Sequence, residues 1–289
     1  MKLNVFAHCA IDTITIDGNN YEQIGGAACY SGIMARQFKF DVDLFTKFGP
    51  DFPKQYLDEH KINLVNSESQ KNTTKFAISI TGSDRTLKLE NECDPIDYSQ
   101  SDADAHLVSP IYHEISGDIF KKIKSDSNFL FVDPQGFLRR KDSQNNIFLE
   151  KTDLDLSNVN AIKVNPEESQ QIVSGTNDEM MLALQKKGVE YVLLTDKSNV
   201  SLLVKDKIYS ITLPNLRIHD TTGVGDIFCS AFTCTMLKEK DFLWALCFAG
   251  GAAQAALESN NVGLQKIPKK GTVQTNASYF YNLVKFRDL

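Results

Sequence analysis

Six short apolar runs recur along the chain, at 3–7, 42–46, 105–109, 129–132, 161–164 and 191–195. Each holds about five mostly aliphatic or aromatic residues without polar alternation. That is the pattern of a strand covered on both faces. Most are followed by turn residues and then a helical pattern. The helical stretches lie at 28–38, 51–59, 116–125, 167–174 and 177–187. Such alternation predicts an α/β fold around a mainly parallel sheet. No linker, low-complexity tract or internal repeat divides it.

Two segments alternate with period two instead. Residues 13–24 do so around Asp17-Gly18-Asn19, and residues 75–90 around Thr81-Gly82-Ser83-Asp84. Both predict hairpins. We read them as one small sheet of its own, with strands at approximately 13–24 and 72–92, within a single unit spanning 1–289. An edge extension of the main sheet is the alternative. The most apolar long stretch, 242–257, is interrupted by Gly250, Gly251 and Gln254. It falls short of the roughly 20 residues of a bilayer span and reads as a core helix.

Composition narrows the classes. A length of 289 residues allows one large domain or two small ones. Lys and Arg number 31 against 37 Asp and Glu, a net charge of −6. That balance argues against a nucleic-acid partner. Hydrophobic residues at 42% and charged residues at 24% exclude wholesale disorder. Met1-Lys2 leads directly into the first apolar run, without a signal-peptide core. No membrane association is expected, and a cytoplasmic location is. Cys9, Cys29, Cys93, Cys229, Cys234 and Cys247 are scattered without a C-x-x-C pair, which suits reduced, buried thiols. His8, His60, His106, His113 and His219 show no metal-ligand spacing.

Candidate chemistry gathers at glycine-bearing turns. Asp220-Thr221-Thr222-Gly223-Val224-Gly225-Asp226 precedes an apolar helical run. Glycines at a helix N-terminus bring free N–H groups and the helix dipole to an anion. Asp226 in the first turn can take a proton from a hydroxyl held beside that anion. The plainer reading is a glycine-rich turn with Asp226 stabilising the dipole. Gly25-Gly26 opens the 28–38 helix, and Asp12 ends the first strand. These could surround a polyol, or form a turn with a solvated carboxylate. Asn165 and Glu168 are spaced to hold the waters of a magnesium ion, or to make a capping box.

In this order the residues resemble the ribokinase-like sugar kinases, the PfkB family, over nearly the whole chain. The strand ending at Asp12, the Gly25-Gly26 helix start, Asp133-Pro134-Gln135-Gly136, the N-x-x-E motif at Asn165 and Glu168, and D-T-x-G-x-G-D at 220–226 carry the resemblance. It implies a three-layer α/β/α Rossmann-like domain with a small β lid, and ATP-dependent phosphorylation of a small-molecule hydroxyl. Asp226 would be the base. Gly223, Val224 and Gly225 would form the anion hole. Asp12, Gly25, Gly26 and Tyr30 would meet the substrate. Asn165 and Glu168 would order Mg2+ through water. Asp220 and Thr222 match positions that line a monovalent-cation site in some members.

Departures concern the donor and acceptor sides. Members usually carry T-x-G-x-x-G after the fifth core strand; here Thr195-Asp196-Lys197-Ser198-Asn199-Val200 has no glycine. Lys197 could replace backbone contacts with a charge. Tyr30 stands where many members have Asn, and either offers a ring face to an inositol, nucleoside or sugar, or packs the core. Gly250-Gly251 either lets an adenine approach or packs helices. Of Arg139-Arg140-Lys141, one arginine could reach an anion. Exposed lid edges make a homodimer through the lid a further expectation. Two function classes result: a kinase for a sugar, a polyol such as inositol, or a nucleoside; and a non-catalytic ligand-binding or regulatory protein on the same fold. A dinucleotide oxidoreductase lacks its G-x-G-x-x-G after the first strand.

Overall fold

The computed structural model describes residues 1–16, 18–81, 84–214 and 220–289. Asp17, Gly82 and Ser83 of the two predicted turns, and His219, lie outside the described residues.

All six apolar runs become strands: Lys2–Phe6, Asp41–Phe45, Ala105–Val108, Leu130–Val132, Ala161–Val164 and Tyr191–Asp196. They lie parallel and adjacent, in the spatial order 41–45, 2–6, 105–108, 130–132, 161–164, 191–196. Among the described residues the sheet has ten strands. Asn63–Val65 extends one edge in parallel. Asn199–Val204, Lys207–Thr212 and Lys285–Asp288 extend the other edge antiparallel.

The absence of alternation in those runs has a direct cause. Leu3, Val5, Phe131, Ala161 and Leu193 enter one core with the helices Ala27–Gln37, Val224–Glu239, Phe242–Leu257 and Lys270–Tyr281. Phe6, Leu130, Val132, Ile162, Val192 and Leu194 enter a second core, on the opposite face, with Gly117–Asp126 and Asn177–Lys186. Both faces are dry, so both phases of each strand must be apolar. The layers are therefore helix, sheet, helix, as the resemblance implied.

The two hairpins form a separate four-stranded sheet in the order Asn19–Gly25, Ala10–Ile16, Thr74–Thr81, Asp84–Asn91. The edge-extension alternative falls. One detail is corrected: the first strand ends at Phe6, and Asp12 sits inside a lid strand opposite Gln23 and Phe76. The 242–257 stretch is a buried helix. Among the described residues no helix is long and apolar enough to cross a membrane. All six cysteines are buried and unpaired. The predicted 51–59 helix shortens to Gln55–Glu59.

Candidate active site

The carboxyl ends of the parallel strands deliver side chains to one place, as open α/β sheets do. Ser109 follows one strand and Asp133 the next, while Lys163 lies near the end of the third and Asn165 follows it. The Val224–Glu239 helix points its N-terminus at them, with Asp226 in its first turn. Ser31 Oγ donates to the Asp226 carbonyl (3.3 Å) and Ser230 Oγ donates to the Ser31 carbonyl (2.7 Å). These bonds lock the Asp226 helix to the Ala27–Gln37 helix that carries Tyr30.

Asp226 is buried, and its carboxylate accepts a hydrogen bond from Ser109 Oγ (3.0 Å). Burial and the neighbouring Asp133 carboxylate push its pKa up to about 7, against the opposing pull of Lys163. A carboxylate near neutrality can both hold and release a proton at physiological pH. Lys163 Nζ donates to Asp133 (3.0 Å) and lies 3.8 Å from Glu168. Burial opposes its charge, but Asp133 and Glu168 overcome that and raise it well above the lysine range.

Gly223 caps the helix in the left-handed region, at φ +74°. A Cβ there would also overlap the Tyr30 ring. Gly26, at φ +81°, would drive a Cβ into the His8 carbonyl. The Val224 N–H, one of three expected in the anion hole, is taken up by the Thr221 carbonyl at 3.3 Å.

A cavity of about 270 Å³ joins these groups. Asp226, Gly225, Gly223, Thr222, Asn165 and Glu168 line it together with Asp12, Gly26 and Tyr30, and Phe76, Ile78 and Leu87 come from the lid. Arg139 lines it too, held by the Ile111 carbonyl and Gln135. Tyr30 is buried in the core and also lines the cavity. Gly25 lies against the Tyr30 ring and Asp12 without lining the cavity.

Asn165 and Glu168 form a complete capping box: Glu168 N–H donates to Asn165 (2.8 Å) and Asn165 N–H donates to Glu168 (2.9 Å). The cap reading is thus realised, and both residues still line the cavity. Among the described residues no three His, Cys, Asp or Glu cluster to hold a metal directly.

Three expected donor-side residues are not brought to the cavity. Lys197 is exposed in the tight turn joining Tyr191–Asp196 to Asn199–Val204, and Thr195 donates to the Val164 carbonyl at 3.5 Å. Gly250 is buried where a Cβ would overlap Ile211. Gly250 does not line this cavity, and its missing side chain makes room for Ile211, as the packing reading has it.

Residues 11–270 match the profile of the pfkB family carbohydrate kinases. The chain belongs to that family. It is a phosphotransferase that acts on a hydroxyl group. No curated protein sequence matches it. Among solved structures, a pyrophosphate-dependent kinase of the ribokinase family, complexed with a pyrophosphate analog and myo-inositol, superposes with a TM-score of 0.81 at 19% identity. The alignment covers 91% of this chain and 98% of that one. Ribokinase from Arabidopsis thaliana, complexed with ribose and ATP, gives 0.73 at 16% identity over 96% and 98%. The nucleoside kinase of Methanocaldococcus jannaschii gives 0.74 at 16% over 96% and 99%. These likenesses show the fold.

In this kinase, Ser109 and Lys163 were not among the expected site residues, and Asp133 was expected only as part of a motif. Their signal was positional: each stands at the carboxyl end of a buried strand.

Proposed function

We propose that this kinase transfers the terminal phosphoryl group of ATP to a hydroxyl of a small ring polyol or sugar, with Asp226 as the base. One observation carries the reading: a buried carboxylate poised near pH 7 shares a cavity with a helix N-terminus and with Asp12. Asp12 and the Gly26 turn hold acceptor hydroxyls, while Phe76, Ile78 and Leu87 cover an apolar ring face. An alcohol is too weakly acidic to ionise first, so Asp226 orients it and takes its proton as the bond to phosphorus forms. The helix N-terminus receives the charge of the transferring group. The lid excludes water, which would otherwise accept the phosphoryl group.

The donor set suits magnesium held through water, since Glu168 is committed on one oxygen to its cap and Asp133 to Lys163. Glu168 and Asn165 would hold the hydrated ion, which supplies charge neutralisation to the phosphates when bound. Two chains pairing through the lid edges belong to the same reading; sedimentation as a monomer at micromolar concentration would refute that part.

A second reading of the donor is favoured by the Gly250–Ile211 contact and by a cavity that stops short of Thr195 and Lys197. Inorganic pyrophosphate needs no adenine space, and it is the donor named for one of the similar structures. Phosphorus NMR with magnesium, each donor and a panel of inositols, sugars and nucleosides separates the two. Asp226→Asn is the control. No acceptor-dependent product with either donor would refute the proposal.

A further inference from the structure

One strong ion pair stands apart from the reacting carboxylates. Asp220 opens the segment that leads to Gly223, and its side chain is only 3% exposed. The short 3₁₀ turn Gly263–Lys266 brings a wholly buried lysine side chain against it. Lys266 Nζ donates to the Asp220 carboxylate at 2.8 Å and to the Asp220 carbonyl at 3.1 Å. The other carboxylate oxygen accepts the Thr222 N–H at 2.8 Å. The same ammonium lies 5.8 Å from the centre of the Tyr30 ring, which in turn backs Gly223.

A potassium ion at this place would take oxygens as ligands. Two oxygens of Asp220 already hold an ammonium of the same charge and similar size. The residues therefore do not fit the monovalent cation that the family resemblance places at Asp220 and Thr222. We infer that Lys266 is a built-in replacement for that cation, so that this kinase requires no potassium. Lys266 is a positioning residue. It neutralises Asp220, whose carboxylate in turn anchors the Thr222 N–H and so the approach to Gly223. Burial alone would raise the Asp220 carboxyl; the Lys266 ammonium and the hydrogen bonds outweigh it and hold the group below its usual value. A tethered ammonium does not dissociate, so the order of this segment becomes independent of which salt is present.

Melting of the full chain in potassium, rubidium and choline chloride at equal ionic strength tests the inference. The native protein is expected to melt at one temperature in all three. Lys266→Met is expected to melt roughly 5–10 °C lower in choline chloride, with saturable recovery of at least half the loss in potassium or rubidium. A purely structural lysine would show no such rescue. A saturable gain by the native protein in potassium but not choline would overturn the inference, as would a Lys266→Met protein indifferent to the cation. If Lys266→Met is folded only when purified in potassium, the inference stands; if it folds in neither salt, the inference falls. The inference rests on the kinase reading only for its effect on the phosphoryl-binding segment. The melting readout needs no acceptor, so a failed search for activity leaves it decidable.

Discussion

The Tyr30 ring fills the space that a Cβ on residue 223 would need. The acceptor side of the cavity and the anion-binding turn are thereby one packed unit. Gly223→Ala adds a methyl against that ring at φ +74°, where an L-residue is strained by about 1–2 kcal/mol. Turnover is expected to fall on the order of 100-fold, with a lower Tm and a raised acceptor KM, because the displaced Tyr30 ring lines the acceptor side. Steady-state kinetics and melting check this. Near-native turnover would show that the turn does not need this geometry.

Asp226 yields a pH prediction with a definite sign. Its carboxyl stands at about 7 in the folded protein against an ordinary 3.8. The folded state therefore binds this proton more tightly than the unfolded chain. Stability from this group is lost as pH rises from 3.8, and the loss is complete above 7. Catalysis needs the ionised form, so turnover is expected to rise through a limb near pH 7. Asp226→Asn should lower kcat about 10³-fold while raising Tm above pH 7. A limb near pH 4, or no stabilisation in the Asn variant, would contradict the assignment.

Lys163 is the cation that lets Asp133 and Glu168 be buried together. Lys163→Met leaves both without it, at a cost of about 3–5 kcal/mol. It also removes the largest of the pulls that lower Asp226, leaving the Ser109 hydrogen bond and Arg139. The acid limb of the rate profile is therefore expected to move to higher pH. Denaturant titration and a pH–rate profile measure the two effects separately. An unmoved limb would mean that Lys163 does not act on the base.

Gly250 separates packing from donor binding. Gly250→Ala presses on Ile211 and should destabilise by about 1–3 kcal/mol. The donor KM is expected to stay within about twofold, whether the donor is ATP or pyrophosphate. A large rise in donor KM at unchanged Tm would place Gly250 in the donor site after all.

Much of the fold was legible in local pattern. The runs at 3–7, 42–46, 105–109, 129–132, 161–164 and 191–195 lacked alternation because two dry faces demanded it, and they stand as six adjacent parallel strands. The lid hairpins were legible from the opposite pattern, period two around turn residues. The strands at Asn199–Val204, Lys207–Thr212 and Lys285–Asp288 were not read. Lys207–Thr212 and Lys285–Asp288 lie toward the antiparallel edge, where polar positions dilute the apolar signal, whereas Asn199–Val204 is mostly apolar and buried and was passed over because its segment was read for a phosphate-binding motif. Asp12 was read one element too early because the residues between Phe6 and Ala10 are themselves buried and apolar enough to prolong a strand.

The sequence alone determined the α/β class, the lid, and the glycine-to-Asp226 segment, because each is written in neighbouring residues through periodicity or backbone requirement. Only the tertiary structure decided which distant groups meet. Ser109 reaches Asp226, Lys163 joins Asp133, Ile211 fills the space beside Gly250, and Lys266 seats its ammonium on Asp220. Those pairs are set by where strands and helices end in space. The charge balance and pKa of the site follow from them, because burial and proximity, rather than spacing along the chain, govern electrostatics.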